Sequence, residues 1–225
     1  MSEFKDCLKE MRDHYKKTIA EGYVEKYVPS EEYGYLLAKT SRIDPNDENV
    51  IKIRTTGESL SRDQAQDIQD DIVEHTKVLK EDGVTSQSQS SFKAKLEKRK
   101  EAAKQRASEN IDKIYGMVEE IGENLPEHQQ NQLIAAADGV MSFVNELIGR
   151  ITDYVAKIVH DIVEWVKKAW QDIKETFTNI FNWIGGWFGK VRVVQDERST
   201  PRELIIDNTK RKKTIVVSIS LLEDI

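Results

Sequence analysis

The sequence predicts a mainly α protein: an elongated bundle of four to five amphipathic helices with a small β appendage at its C-terminal end. Three observations predict it. Charged residues make up 33% of the 225-residue chain and hydrophobic ones only 38%, with a mean hydropathy of −0.61, as expected of helices with wide wet faces. The chain holds only 4 prolines and 11 glycines, too few for a loop-dominated protein. From Val140 to Trp187 an apolar residue recurs every three or four positions, and this separation of 47 positions divides into 13 steps of about 3.6, the period of a straight helix.

Residues 3–28 read as a first helix, with Phe4, Leu8, Met11, Tyr15, Ile19 and Tyr23 on one face and Pro29 ending it. Ser30 is placed to cap a short helix carrying Tyr33, Tyr35, Leu36 and Leu37. Ser41–Asn49 is turn chemistry, and the β-branched alternation of Val50–Thr56 predicts a short strand. Ser61 with Gln64 forms a capping-box pattern for a helix running to about Asp82. Its inner face would be Ala65, Ile68, Ile72, Val73, Thr76 and Leu79, and Gly83 would stop it. The small polar run Thr85–Ser91 reads as an exposed connection between units.

Phe92–Glu123 is predicted helical, basic in its first half and striped with Ala107, Ile111, Ile114, Tyr115, Val118 and Ile121 in its second. Pro126 is suited to open the next helix. The stripe through Trp187 predicts one helix from Pro126 to Ile184, on the order of 85 Å long at 1.5 Å per residue, unless Gly139 or Gly149 breaks it. A second stripe beside it (Ile148, Val155, Val159, Val166, Trp170, Phe181, Phe188) makes the apolar face wide enough for two neighbours. Val191–Val194, Glu203–Asp207 and Thr214–Leu222 read as strands. Three units follow: a helical segment with a short strand over 1–84, a long-helix hairpin over 92–189, and the β appendage over 190–225.

Catalytic signals are poor, and the protein is expected not to be an enzyme, with no cofactor and no metal. The four histidines stand in four different segments, and no nucleophile elbow, zinc-protease helix or phosphate-binding glycine loop occurs. His160 and Glu164 are one helical turn apart, but exposed helix faces produce such pairs constantly. The acidic cluster Asp67, Asp70, Asp71, Glu74 and His75 lacks the partners of a di-iron bundle and reads as a solvated face. Cys7, the only cysteine, lies on the apolar face beside Leu8 and Met11 as a buried thiol. Net charge is 34 − 40 = −6, so bulk electrostatics argue against nucleic acid as a partner. The basic run Lys93–Arg106 is interleaved with Glu97 and Glu101 at salt-bridge spacing.

Aromatic residues are distributed less evenly. All four tryptophans and four of six phenylalanines lie within 143–188. Trp183, Ile184, Trp187, Phe188, Phe181, Phe177, Trp170 and Trp165 are the expected contact residues for a membrane or a partner, because indole rings combine an apolar body with an N–H that seeks a wet partner. Asn182–Gly189, with three glycines between and after two tryptophans, is predicted to be a flexible, exposed apolar end. Between 140 and 189 the charges sum to 5 − 6 = −1, so lipid affinity would come from apolar burial and neutral bilayers would serve as well as acidic ones.

In broad shape such a chain is similar to the α-helical pore-forming toxins, which also join long helices to an apolar tip. No motif carries the resemblance, and no residue roles transfer from it. The resemblance implies a membrane-active protein whose soluble form hides the 140–188 face and releases it to lipid or to sister subunits in a homo-oligomer. The alternative is a non-enzymatic interaction or structural bundle that docks a partner protein through the same aromatic face. No secretory signal is visible, and the longest nearly apolar run, Ile180–Gly189, falls short of the roughly 20 residues of a membrane span. A soluble, cytoplasmic protein is therefore the default expectation, with release to act at a membrane.

Overall fold

The structure, a computed structural model, describes residues 3–38 and 43–195. The helices are α1 (Glu3–Glu21), α2 (Gly34–Ala38), α3 (Glu48–Glu81), α4 (Ser86–Gly122), α5 (Glu127–His160), α6 (Ile162–Lys167) and α7 (Ala169–Gln195), with no strand among the described residues. The mainly helical class therefore holds. Of the β appendage, Val191–Val194 is the last turn of α7 rather than a strand. Glu203–Asp207 and Thr214–Leu222 lie outside the described residues.

The strand expected at Val50–Thr56 is also helical. Asp47 accepts hydrogen bonds from the Asn49 and Val50 N–H groups at 2.9 and 3.1 Å and starts α3 there. Val50 and Ile53 are buried three residues apart, and Gly57, Ser61, Gln64 and Ile68 continue that face. A helical face that buries its apolar members overrides the β-branched preference. Ser61, expected to cap, is thus interior to α3. The polar run after Gly83 corrects in the same way. The Thr85 side chain accepts from the Ser88 N–H at 3.1 Å in a capping box, and Ser86–Ser91 is the start of α4. The connection is therefore Asp82–Thr85, turned by Gly83 at φ 74°.

The first helix stops at Glu21, short of the expected residue 28. Gly22, at φ 81°, closes it with Gly22 N–H donating to Thr18 and Ile19 carbonyls and Tyr23 N–H reaching back to Thr18. This leaves Tyr23 exposed and sends 23–30 across the bundle as an irregular strap.

Helices α3, α4 and α5 run successively antiparallel, and α1 lies in the groove between α4 and α5. Two glycines let helices approach closely. A Cβ on Gly57 of α3 would stand 2.3 Å from Val140 Cγ1 of α5, and one on Gly122 would meet the Phe4 ring at 2.1 Å. Basic and acidic clusters that stood apart in sequence meet across α3 and α4: Arg106 pairs with Asp67, and Arg99 with Asp71. Lys100 and Lys104 pair with Glu97 and Glu101 on their own helix.

The single helix expected from Pro126 to Ile184 is instead α5, α6 and α7. Neither Gly139 nor Gly149 breaks it. Asp161, at φ −135° and ψ 61°, ends α5 and caps α6, its carboxylate accepting from Glu164 N–H at 3.4 Å. Lys168, at φ −122°, ends α6. The chain reverses there: Lys157 faces Asp172, Tyr154 faces Phe177, and Phe143 faces Trp183 and Trp187. α5 and α7 are therefore antiparallel, with α7 seated on α3 and on the rings of α5.

Candidate functional site

The apolar stripe keeps its phase through both breaks. Every member from Val140 to Ile184 is buried, and only its last, Trp187, is half-buried. Of the expected contact residues, Trp165, Phe177, Ile184 and Phe188 lie in the core, while Trp170, Phe181, Trp183 and Trp187 are half-buried against it. The segment 182–189 is neither loose nor free. It is helical, and its glycines hold ordinary helical φ angles.

At this end of α7 the aromatic rings form a cluster. Phe143 stacks on Trp183 with centroids 4.2 Å apart and an interplanar angle of 19°, and it meets Trp187 at 4.8 Å and Phe188 at 4.9 Å. Trp187 and Phe188 meet edge to face at 4.4 Å. The Trp187 ring also passes over Gly139, one turn before Phe143, at a distance where a Cβ would make ordinary contact, 3.7 Å. Rings rather than close backbone contact join α5 to α7, and that is why the stripe needs its large aromatic members here.

Each half-buried tryptophan of α7 carries a cation over its ring. Arg150 of α5 stands 4.3 Å from the Trp183 centroid, Arg54 of α3 stands 5.2 Å from Trp187, and Lys80 of α3 stands 4.6 Å from Trp170. Each stack is worth about 0.5–1 kcal/mol while exposed and more when desolvated. Sequence reasoning missed these three cations, which lie far from their rings along the chain.

The corner at α6 is polar and tight. The Trp165 indole N–H donates to Asp172 Oδ2 at 2.9 Å, and Lys157 Nζ reaches Asp172 Oδ1 at 3.3 Å. Burial opposes ionisation of Asp172, but the hydrogen bonds it accepts outweigh burial and hold its pKa below the usual carboxylate value. Trp165 also packs on Phe92 of α4 at 5.9 Å.

A second polar cluster ties the strap to α1 and α5. Glu10 accepts from Tyr27 O–H at 2.8 Å and from Ser30 N–H and O–H at 3.0 Å each. Burial works against its charge, yet those donors leave its pKa lowered. Tyr15 O–H donates to Asp138 at 2.8 Å, and burial raises the Asp138 pKa. Cys7 is fully buried beneath, its thiol pushed up to about 11 by burial. The strap exposes Tyr23, Val24 and Val28.

Among the described residues no group of three or more His, Cys, Asp or Glu side chains is arranged to hold a metal ion. No helix among them is long and apolar enough to cross a membrane. Comparison of the chain with protein-family models, curated proteins and solved structures finds no match.

Proposed function

We propose that this chain is a non-enzymatic, membrane-active helical protein, one that folds its aromatic helix α7 against α3 and α5 and releases it to lipid or to sister subunits. The observation that carries this reading is the seat of α7. It is an outer helix of the bundle, and its tryptophans are half-buried under cations instead of enclosed. Cation stacks exchange readily for headgroup and water contacts, whereas a fully enclosed ring has no such alternative. The outward face of α7 exposes one charge, Glu175, in its first turns, and beyond it Asn179, Asn182 and Gly186 are uncharged, so at that end little desolvation of charge opposes transfer to an interface.

Because no helix among the described residues is long and apolar enough to cross a bilayer, deep insertion by them would need several chains or several helices together, and that is the place for a homo-oligomer in this reading. Co-sedimentation with neutral and anionic vesicles, with dye release and tryptophan emission read together, tests it. Binding with a blue shift and leakage is expected, at similar strength on both lipids. Emission that is unchanged, without binding or leakage, sinks the lipid reading. It would leave the half-exposed ring cluster of Trp183 and Trp187 as a docking face for a partner protein.

A further inference from the structure

We infer that Arg54 and the Trp187 ring form a receptor for a phosphate-ester anion at the α7 end of the bundle, the phosphate of a lipid headgroup being the source that the membrane reading supplies. The inference rests on that reading for the lipid, but not for the anion.

Arg54 is half-buried on α3. Its Nε is sealed from solvent without a hydrogen-bond partner, and among the described residues no carboxylate pairs with it. The acid nearest along its own helix is committed elsewhere: Glu58, one turn on, pairs with Arg62 at 3.0 Å. Burial, with no carboxylate to offset it, pulls the Arg54 pKa below the ordinary arginine value. A cation held this way is unusual, since buried charges are ordinarily paired. Where Arg62, Arg99 and Arg106 each have an acid, Arg54 has an indole face, at 5.2 Å.

An arginine fork whose inner edge is fixed by packing and whose terminal nitrogens carry no protein partner is preorganised for a bidentate oxyanion. The neighbouring indole marks the kind of anion. Trp187 is half-buried beside Trp183, in the cluster where an apolar body meets water. A phosphate ester carries its charge on an organic group that such rings can contact, which a simple inorganic counter-ion lacks.

The test uses the full chain as wild type, Arg54→Gln and Arg54→Lys, with two vesicle types: phosphatidylcholine, and digalactosyldiacylglycerol, which has no phosphate. A soluble arm follows the melting temperature in inorganic phosphate and in glycerophosphocholine against chloride of equal ionic strength. Arg54→Gln should bind phosphatidylcholine about tenfold more weakly and lose no affinity for the galactolipid, with Arg54→Lys between the two on phosphatidylcholine. Phosphate should raise the wild-type melting temperature and leave that of Arg54→Gln where it was. Equal binding of wild type and Arg54→Gln to phosphatidylcholine, with no phosphate shift, overturns the site and leaves the membrane reading standing. Equal losses on both vesicle types overturn it as well, since the arginine would then not be reading phosphate. Phosphate stabilisation that depends on Arg54, without vesicle binding by any variant, upholds the anion site for a soluble ester and removes the lipid. Neither effect in the wild type removes both.

Discussion

Trp183 is held between Phe143 and Arg150, the phenyl ring stacked at 4.2 Å and the guanidinium at 4.3 Å from the indole centroid. Two groups at those distances occupy the two faces of one ring, so a single side chain of α7 is clamped by an apolar and a cationic neighbour, both from α5. Trp183→Ala should lower unfolding free energy by about 2–4 kcal/mol in denaturant titration, combining lost burial with both stacks. Trp183→Phe should recover more than half of that. If the alanine variant unfolds like the parent, α7 is not held through this ring.

Gly57 and Gly116 make a matched pair, both inside long helices. Gly57→Ala should cost about 1–3 kcal/mol, because its Cβ would meet Val140 Cγ1 at 2.3 Å. Val140→Ala in the same chain should relieve part of that loss. Gly116→Ala meets nothing within 4 Å and should stabilise by about 0.5–1 kcal/mol. Thermal melts of the four proteins decide it, and a shared sign for the two glycine variants would refute the close approach of α3 and α5.

Acid should loosen the corner and the strap, while Asp138 works in the opposite sense. Asp172 and Glu10 have lowered pKa values in the fold. Their stabilisation is complete above the unfolded carboxylate pKa of about 4 and is lost as pH falls through the lower folded value. Asp138 is raised, so its stabilisation is complete below about 4 and is lost as pH rises through the folded value. Melting temperature against pH should therefore fall below about pH 4 in the parent, and fall less in Asp172→Asn. Asp138→Asn, which keeps an acceptor for Tyr15, should melt higher than the parent at pH 7. A lower melting temperature there would show that the buried charge is compensated.

The strap should be the first site of limited proteolysis. Lys26 is exposed within irregular backbone, and Tyr27 is the buried residue that pins it, through Glu10. Trypsin should cut after Lys26 before it cuts the basic start of α4, and Tyr27→Phe should speed that cut severalfold without changing the melt by more than about 1–2 kcal/mol. First cleavage between Ser86 and Lys93 would instead restore the polar run as the open connection.

Much of the architecture was legible in the spacing of apolar residues. The inner faces of α1, α3 and α4, the stop at Gly83 and the opening of α5 by Pro126 all follow from local chemistry. So does the stripe through Ile184, because burial with a period of 3.6 is a property of each helix by itself. Val50–Thr56 was misread for the same local reason: β-branched residues suggest a strand when the buried face they share with Gly57, Ser61 and Gln64 is not in view. The polar run Ser86–Ser91 offered no apolar period, and only the Thr85 cap turns it into helix.

Apolar spacing is enough to make the described residues mainly helical and to gather the tryptophans on one late, wide apolar face. Tertiary structure decided that the face folds back on itself. The stripe stays in phase across Asp161 and Lys168 and so carries no mark of the reversal, which depends on Asp172 accepting Trp165 and Lys157 at the corner. The structure also decided which rings are enclosed and which lie under Arg54, Arg150 and Lys80. Periodicity reports which way a side chain faces on its own helix. The charge that will stand over a ring is brought by another helix, and only packing brings the two together.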